Sequence, residues 1–207
     1  MKNVFNVIGL TASATQEFYS LYRDSIKPLL EFWQIQALPD ECRIDICFYD
    51  KKEFFKILHE RHIGIENNII AISDFQIHAI TYNFLNEHFS VEMYQKVLLH
   101  ECIHMLQLYF SKVPFKEHIW LYEATACYMS KQEININPSS VPEWSSICNN
   151  FYSCENCYFW AYEIGKYLFE NHTNIQILEI CKNPKMAEEI GKEIWQKIQT
   201  DTSHNPT

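Results

Sequence analysis

The alternation of apolar and polar positions predicts both helices and short strands in the first half of the chain. Residues 14–37 repeat apolar side chains every three or four positions, as an amphipathic helix does, and Pro28 is expected to kink it or split it. Residues 42–49 alternate apolar and polar side chains, which is typical of a half-buried strand. A helix over residues 51–61 and a short apolar strand over residues 68–73 are predicted to follow.

In almost all of the second half of the chain, apolar side chains recur every three or four positions, which is typical of helices. Its main breaks are Ser111–Pro114, the polar connection 133–144 with two prolines, and Asn183-Pro184. The predicted helices run to about Phe110, from Glu117 to about Lys131, over residues 155–171 and, as two short helices, over residues 174–198. Residues 200–207 are polar and are expected to fray. This half therefore predicts a mostly helical lobe.

The string His100-Glu101-Cys102-Ile103-His104 lies inside the best patterned of these helices. Two histidines four residues apart share one face of a helix, one turn apart, so both imidazoles can reach the same ion. Glu101 follows the first histidine, where its carboxylate can lean over a metal-bound water without being a ligand. Two nitrogen ligands, room for a third protein ligand and an open position for water suit zinc, so the sequence predicts a Zn²⁺ site here.

A third ligand is predicted on the next helix. Glu123 lies within an otherwise apolar run from Trp120 to Tyr128. Burying a carboxylate there is costly unless it is paired or coordinates a metal. Two helices joined by a short loop can pack side by side, which would bring Glu123 back toward His100 and His104.

These two motifs together resemble the gluzincin branch of the zinc metallopeptidases, and most closely its peptidase MA-like group. The resemblance is carried by H-E-x-x-H, a glutamate after eighteen intervening residues, and the W-L-x-E-x-x-A-x-Y string around Glu123. It implies that His100, His104 and Glu123 are zinc ligands and that Glu101 is the general base of peptide-bond hydrolysis. Two positions depart from the family pattern: Ala124 replaces a common glycine, and Cys127 replaces an acidic residue that supports a histidine in some members.

The resemblance also implies an oxyanion donor and a substrate-binding strand. Gluzincins commonly use a tyrosine or histidine downstream of the third ligand, and Tyr162-Glu163-Ile164-Gly165 resembles the Y-x-x-G stretch of the peptidase MA-like group. We expect Tyr162 to be the donor, with Tyr158 one turn earlier as the reserve and His172 as a further candidate. The resemblance suggests that Ile69–Ile72 pairs with an extended peptide at a sheet edge; an internal strand without a free edge is the alternative.

Pattern and resemblance together predict an α+β, zincin-like fold with a small mixed sheet, helices and a mostly helical C-terminal lobe. We expect a single domain over residues 1–207. Its N-terminal lobe, residues 1–112, would contain the active-site helix, and residues 113–207 would form the helical lobe.

The composition of the chain limits the classes of binding partner and the cellular compartment that we expect. The formal net charge of -9 without a basic stripe argues against a nucleic-acid partner and leaves a peptide or protein substrate. No apolar stretch reaches the roughly 18 residues of a membrane span. The eight cysteines lack the spacing of a stapled scaffold and favour reduced thiols in the cytoplasm. Secretion is the alternative if the apolar run Val4–Leu10 is a signal peptide rather than a first strand.

Two rival functions stay open. Cytosolic regulatory metalloproteases that cleave repressors also carry H-E-x-x-H and a later glutamate, although without the W-L-x-E opening. A catalytically silent binding or regulatory module on a zincin fold is the other rival, because Cys127 stands where a supporting acid is expected. The sequence indicates neither the peptide bond that is cut nor the oligomeric state.

Overall fold

The computed structural model divides the chain into two compact units, Met1–Leu106 and Gln107–Thr207. The described residues are 7–8, 12–38, 46–49, 71–74, 78–82, 91–111, 113–136 and 138–204, together with Lys52, Lys56, His59 and Glu60.

The first unit contains short strands and long helices. Its strands are β1, Val7–Ile8; β2, Ile46–Tyr49; β3, Ala71–Asp74; and β4, His78–Tyr82. Among the described residues they lie in the order β1-β2-β4-β3, with β1–β2 and β2–β4 parallel and β3–β4 antiparallel. β3 is therefore an outer strand of the described sheet. It covers only Ala71 and Ile72 of the predicted peptide-pairing stretch, and Ile69 and Ile70 lie outside the described residues.

Helix α1, Ala12–Phe32, continues through Pro28. It ends in a Schellman motif, in which Gln34 adopts a left-handed conformation with φ 55°. The Ile35 N–H donates to the Leu30 carbonyl and the Gln34 N–H donates to the Glu31 carbonyl, which satisfies two terminal carbonyls of the helix. Helix α2, Val91–Phe110, begins in the first unit, and its residues from Gln107 onward belong to the second.

The second unit is helical wherever it is described with regular structure. After a 3₁₀ turn at Phe115–Glu117 come α3, Ile119–Met129; α4, Trp144–Asn149; a 3₁₀ turn at Phe151–Ser153; α5, Cys157–Asn171; α6, Asn174–Ile180; and α7, Pro184–His204. Helix α7 continues past Thr200, where fraying was predicted, to His204. Its buried residues Ile194, Trp195 and Ile198 lie in the turns before Thr200, and the Thr202 hydroxyl donates to the Ile198 carbonyl at 2.8 Å.

The predicted α+β class is wrong, because the described chain is predominantly helical. Of the residues whose side chains the structure describes, 75% are helical and none lies in a strand. The strands are two to five residues long, so each spans at most about 17 Å. The described hydrophobic core comes instead from helices and their connections, because the long apolar faces predicted for the second half can bury one another without a sheet. The predicted division into lobes at residue 112 stays a prediction.

None of the helices in the described ranges is long and apolar enough to cross a membrane.

Candidate metal centre

Helix α2 buries the H-E-x-x-H string inside an apolar segment. His100, Glu101 and His104 are 6%, 9% and 7% exposed, and the intervening Cys102 and Ile103 are fully buried. Nothing in the sequence of α2 breaks the helix, since Val91–Phe110 contains neither proline nor glycine. A helix that is apolar on most of its circumference is a core helix. Ionisable side chains in such a helix are costly to bury unless they are hydrogen-bonded, paired or bound to a metal ion.

The two imidazole rings of this string lie against each other. The ring centroids of His100 and His104 are 4.5 Å apart, with an interplanar angle of 89°. This is the placement that the four-residue spacing predicts, one turn apart on a single face of the helix. Two buried ring nitrogens from one rigid element are a suitable start for a zinc site.

Glu123 occupies the centre of α3, in the second unit. The residues from Trp120 to Cys127 are all buried, and the Glu123 side chain is 2% exposed. Its Oε1 accepts a hydrogen bond of 2.6 Å from the hydroxyl of Tyr152. A short hydrogen bond to a carboxylate is among the stronger ones, so it holds the carboxylate in one orientation.

The backbone around Glu123 is fixed from two sides. On one side, Gln107 Nε2 donates to the Tyr122 carbonyl at 3.1 Å, and the Tyr122 hydroxyl donates to the Val113 carbonyl at 2.6 Å. On the other side α5 approaches closely, since a Cβ built on Gly165 would lie 2.3 Å from the Ala124 carbonyl oxygen. Gly165 on α5 thus permits the close approach of that helix to the backbone of Ala124, the residue after Glu123.

Cys127 lies one turn after Glu123 on α3 and is 1% exposed. The carboxylate of Glu123 and the Cys127 sulfur lie within 4.8 Å of each other. Three buried side chains of the described residues offer an atom that could bind a metal ion. His100 lies in the first unit, and Glu123 and Cys127 lie in the second. A thiolate is a good zinc ligand, so Cys127 adds a donor where the family pattern led us to expect an acid.

The tyrosine that donates to Glu123 is Tyr152, which the sequence did not single out. The role of Tyr162 as oxyanion donor, with Tyr158 and His172 as the other candidates, stays a prediction. Tyr162 lies on α5 beside Tyr128, with ring centroids 5.9 Å apart. Burial, followed by the nearby Glu133 carboxylate, raises the pKa of the Tyr162 hydroxyl, so it stays protonated. Tyr158 packs against Tyr152, with ring centroids 6.4 Å apart. His172 ends α5, and its Nδ1 lies 3.1 Å from the Leu168 carbonyl.

Tyr152 was missed because no local pattern marks it. It lies in the 3₁₀ turn Phe151–Ser153, between two helices, and its partner Glu123 is 29 residues away along the chain. Hydrophobic periodicity reports on neighbours within a helix or strand and carries no signal for such a contact. The two aromatic residues in an otherwise polar connection are the feature that could have drawn attention to it.

The six cysteine side chains that the structure describes are free thiols. Cys102, Cys127 and Cys181 are buried, and Cys148, Cys154 and Cys157 are partly exposed. Burial raises the pKa of the Cys148 and Cys181 thiols to about 12, so both are protonated and unreactive near neutral pH.

No protein-family model matches the chain, and no curated protein is significantly similar to it. The gluzincin resemblance accordingly rests on the two motifs alone.

Proposed function

We propose that this chain is a zinc metallopeptidase that hydrolyses peptide bonds. His100, His104 and Glu123 would bind the metal, and Glu101 would act as general base. The observation that carries the proposal is the pair of buried imidazole rings on one face of α2, 4.5 Å apart, with the buried Glu101 carboxylate beside them in sequence. Metal coordination is one of the arrangements in which proteins hold buried ionisable groups.

Helix geometry supports the participation of Glu123. Residues 100, 104 and 107 fall on one face of a helix, because they are separated by four and three positions. Gln107 on that face donates to the carbonyl of Tyr122, the residue before Glu123. Gln107, which continues this face of the helix in the second unit, thus contacts α3, the helix that carries Glu123.

The chemistry follows from the donor set. Zinc, when bound, supplies a Lewis acid for the peptide carbonyl and lowers the pKa of water at its open position to roughly 7. Glu101 takes the proton from the attacking water and delivers it to the leaving amine. Tyr152 holds Glu123 through its hydrogen bond to Oε1, so that the other carboxylate oxygen can serve as the ligand atom.

A second candidate function is a closed zinc module that binds a partner without catalysis. It is favoured by the buried Cys127, whose sulfur lies within 4.8 Å of the Glu123 carboxylate. If the Cys127 thiolate takes the fourth position, no position is open for water and the site is structural. The peptidase needs Cys127 to stay outside the coordination shell.

Cys127→Ala separates the two candidates. In the peptidase, the variant keeps its zinc affinity and its hydrolysis of a mixed peptide library. In the closed module, zinc affinity falls by at least about tenfold, because one of four ligands is lost. Cys181→Ala is the matched control, since Cys181 is equally buried and lies at the end of α6.

We further propose peptide or protein substrates and a reducing, cytoplasmic compartment. The support for the compartment is the set of six free thiols, three of them buried in helices or at a helix end.

A further inference from the structure

We propose that Tyr152 and Tyr158 form a subsite that holds a large apolar or aromatic side chain of the peptide substrate beside Glu123. The inference rests on the proposed function and names the substrate class for the same site. It concerns residues of the second unit alone.

The two rings form one exposed aromatic surface. Tyr152 is 42% and Tyr158 is 41% exposed, and their ring centroids lie 6.4 Å apart. Both rings pack edge-on against Phe151, at 5.3 Å and 6.3 Å between centroids, and Phe151 is 2% exposed. The buried ring fixes the two exposed ones, so little side-chain freedom remains to be lost when a ligand packs on them.

A tight turn places these rings side by side. The Cys157 N–H donates to the Cys154 carbonyl at 3.2 Å, and Asn156 adopts a left-handed conformation with φ 58°. This turn joins the 3₁₀ turn that carries Tyr152 directly to the first residues of α5, where Tyr158 lies. Asparagine tolerates the left-handed region better than most residues, so the turn needs no glycine.

The aromatic surface adjoins Glu123, which is one of the proposed metal ligands. The Tyr152 hydroxyl donates to Glu123 Oε1 at 2.6 Å, while the ring of the same residue is exposed. A peptide whose carbonyl lies at the metal would therefore have a neighbouring side chain within reach of this ring. Two aromatic faces favour an apolar or aromatic group, because burying such a group removes apolar area from water and permits edge-to-face contacts.

Two hydroxamate probes test the subsite on the zinc-loaded full chain. Hydroxamates chelate zinc, so acetohydroxamate reports the metal alone, and 3-phenylpropionohydroxamate, in which a benzyl group replaces one methyl hydrogen of acetohydroxamate, adds only the aromatic group. We expect the benzyl-bearing probe to bind at least about tenfold more tightly by calorimetry, which corresponds to partial burial of one ring. Tyr158→Ala should abolish this difference and leave the affinity for acetohydroxamate unchanged, whereas Tyr158→Phe should keep the difference.

Ile175→Ala is the matched control, since Ile175 is 63% exposed on α6 and its truncation should change neither affinity. Equal binding of the two probes to the wild-type chain would overturn the subsite, as would a difference that survives Tyr158→Ala. Failure of the proposed function looks different: the chain takes up no zinc, or the zinc-loaded chain binds neither hydroxamate. In that case the subsite proposal falls with it.

Discussion

Helix α2 and the 3₁₀ turn Phe151–Ser153 position their side chains in different ways. On α2 the two histidines are positioned by the helix itself, and their spacing of four residues predicts that they lie on one face, one turn apart. In the 3₁₀ turn, Tyr152 is positioned by tertiary packing on Phe151 and by a hydrogen bond to Glu123, 29 residues away. The relative placement of the two histidines can thus be predicted from their spacing, whereas the position of Tyr152 depends on contacts with residues that are distant in the sequence.

Glu101→Gln should have the largest effect, because it removes the proposed general base from the locally positioned half of the site. We expect peptide hydrolysis to fall about a thousandfold, with zinc content unchanged because Glu101 is not a proposed ligand. Cleavage of a quenched peptide library and elemental analysis of the same sample measure both. Glu92→Gln, on the exposed first turn of α2, is the control. Activity retained in Glu101→Gln would contradict the proposed base.

Gly165→Ala tests the packing that holds α3. A Cβ at this position would meet the Ala124 carbonyl oxygen at 2.3 Å and Tyr128 Cβ at 2.7 Å. We expect the free energy of unfolding to fall by at least about 2 kcal/mol, although alanine is the better helix former. Denaturant titration measures it, with Lys166→Ala, on the exposed neighbouring position, as a control expected within about 0.5 kcal/mol of wild type. An unchanged free energy of unfolding would mean that α3 and α5 can move apart to accommodate the added methyl group at little cost.

Tyr152→Phe removes the hydroxyl that orients Glu123 and keeps the aromatic ring. We expect zinc affinity to fall about tenfold, as is typical when a partner of a metal ligand is lost. Competition with a chromogenic chelator measures it. Tyr167→Phe is the matched control, because the Tyr167 hydroxyl also donates to a carboxylate, that of Asp201, at the exposed end of α7. An equal loss of affinity in both variants would rule out a specific role for Tyr152.

Thr173→Ala should have the smallest effect, on a helix end that is positioned locally. Thr173 and Gln176 form a capping box at the start of α6, with the Thr173 N–H donating to Gln176 Oε1 at 2.8 Å. The substitution removes the Thr173 hydroxyl, which accepts from the Gln176 N–H. It should lower the free energy of unfolding by about 1 kcal/mol and leave zinc affinity unchanged. Thermal unfolding with and without zinc measures both quantities. A change in zinc affinity would show that α6 is coupled to the metal centre.

The same contrast explains how much of the fold could be predicted. The helix predicted over residues 155–171 is observed as Cys157–Asn171. The prediction succeeded because the spacing of apolar residues in a helix can be recognised within a short stretch of sequence. The strand predicted over residues 42–49 is described only as Ile46–Tyr49. Strand length depends on pairing with distant residues, which one sequence does not reveal. Giving these strands equal weight with the helices led to the wrong α+β class.

The candidate site likewise has features that the sequence could predict and features that it could not. The positions of His100 and His104 on one helical face followed from their spacing. The close approach of Gly165 to Ala124, the contact of Tyr152 with Glu123 and the proximity of Cys127 to that carboxylate did not, because each depends on side-chain packing around α3. Cys127 in particular was interpreted as a missing acid, although its own sulfur is a metal donor.

The most direct test of the central claim is the zinc content of the purified chain, measured by elemental mass spectrometry beside His100→Ala and Glu123→Ala. The account predicts about one zinc per wild-type chain and loss of that zinc in both variants, since three protein ligands hold a catalytic zinc. Zinc retained in Glu123→Ala would move the third ligand elsewhere. A chain that takes up no zinc even after reconstitution would contradict the metallopeptidase proposal.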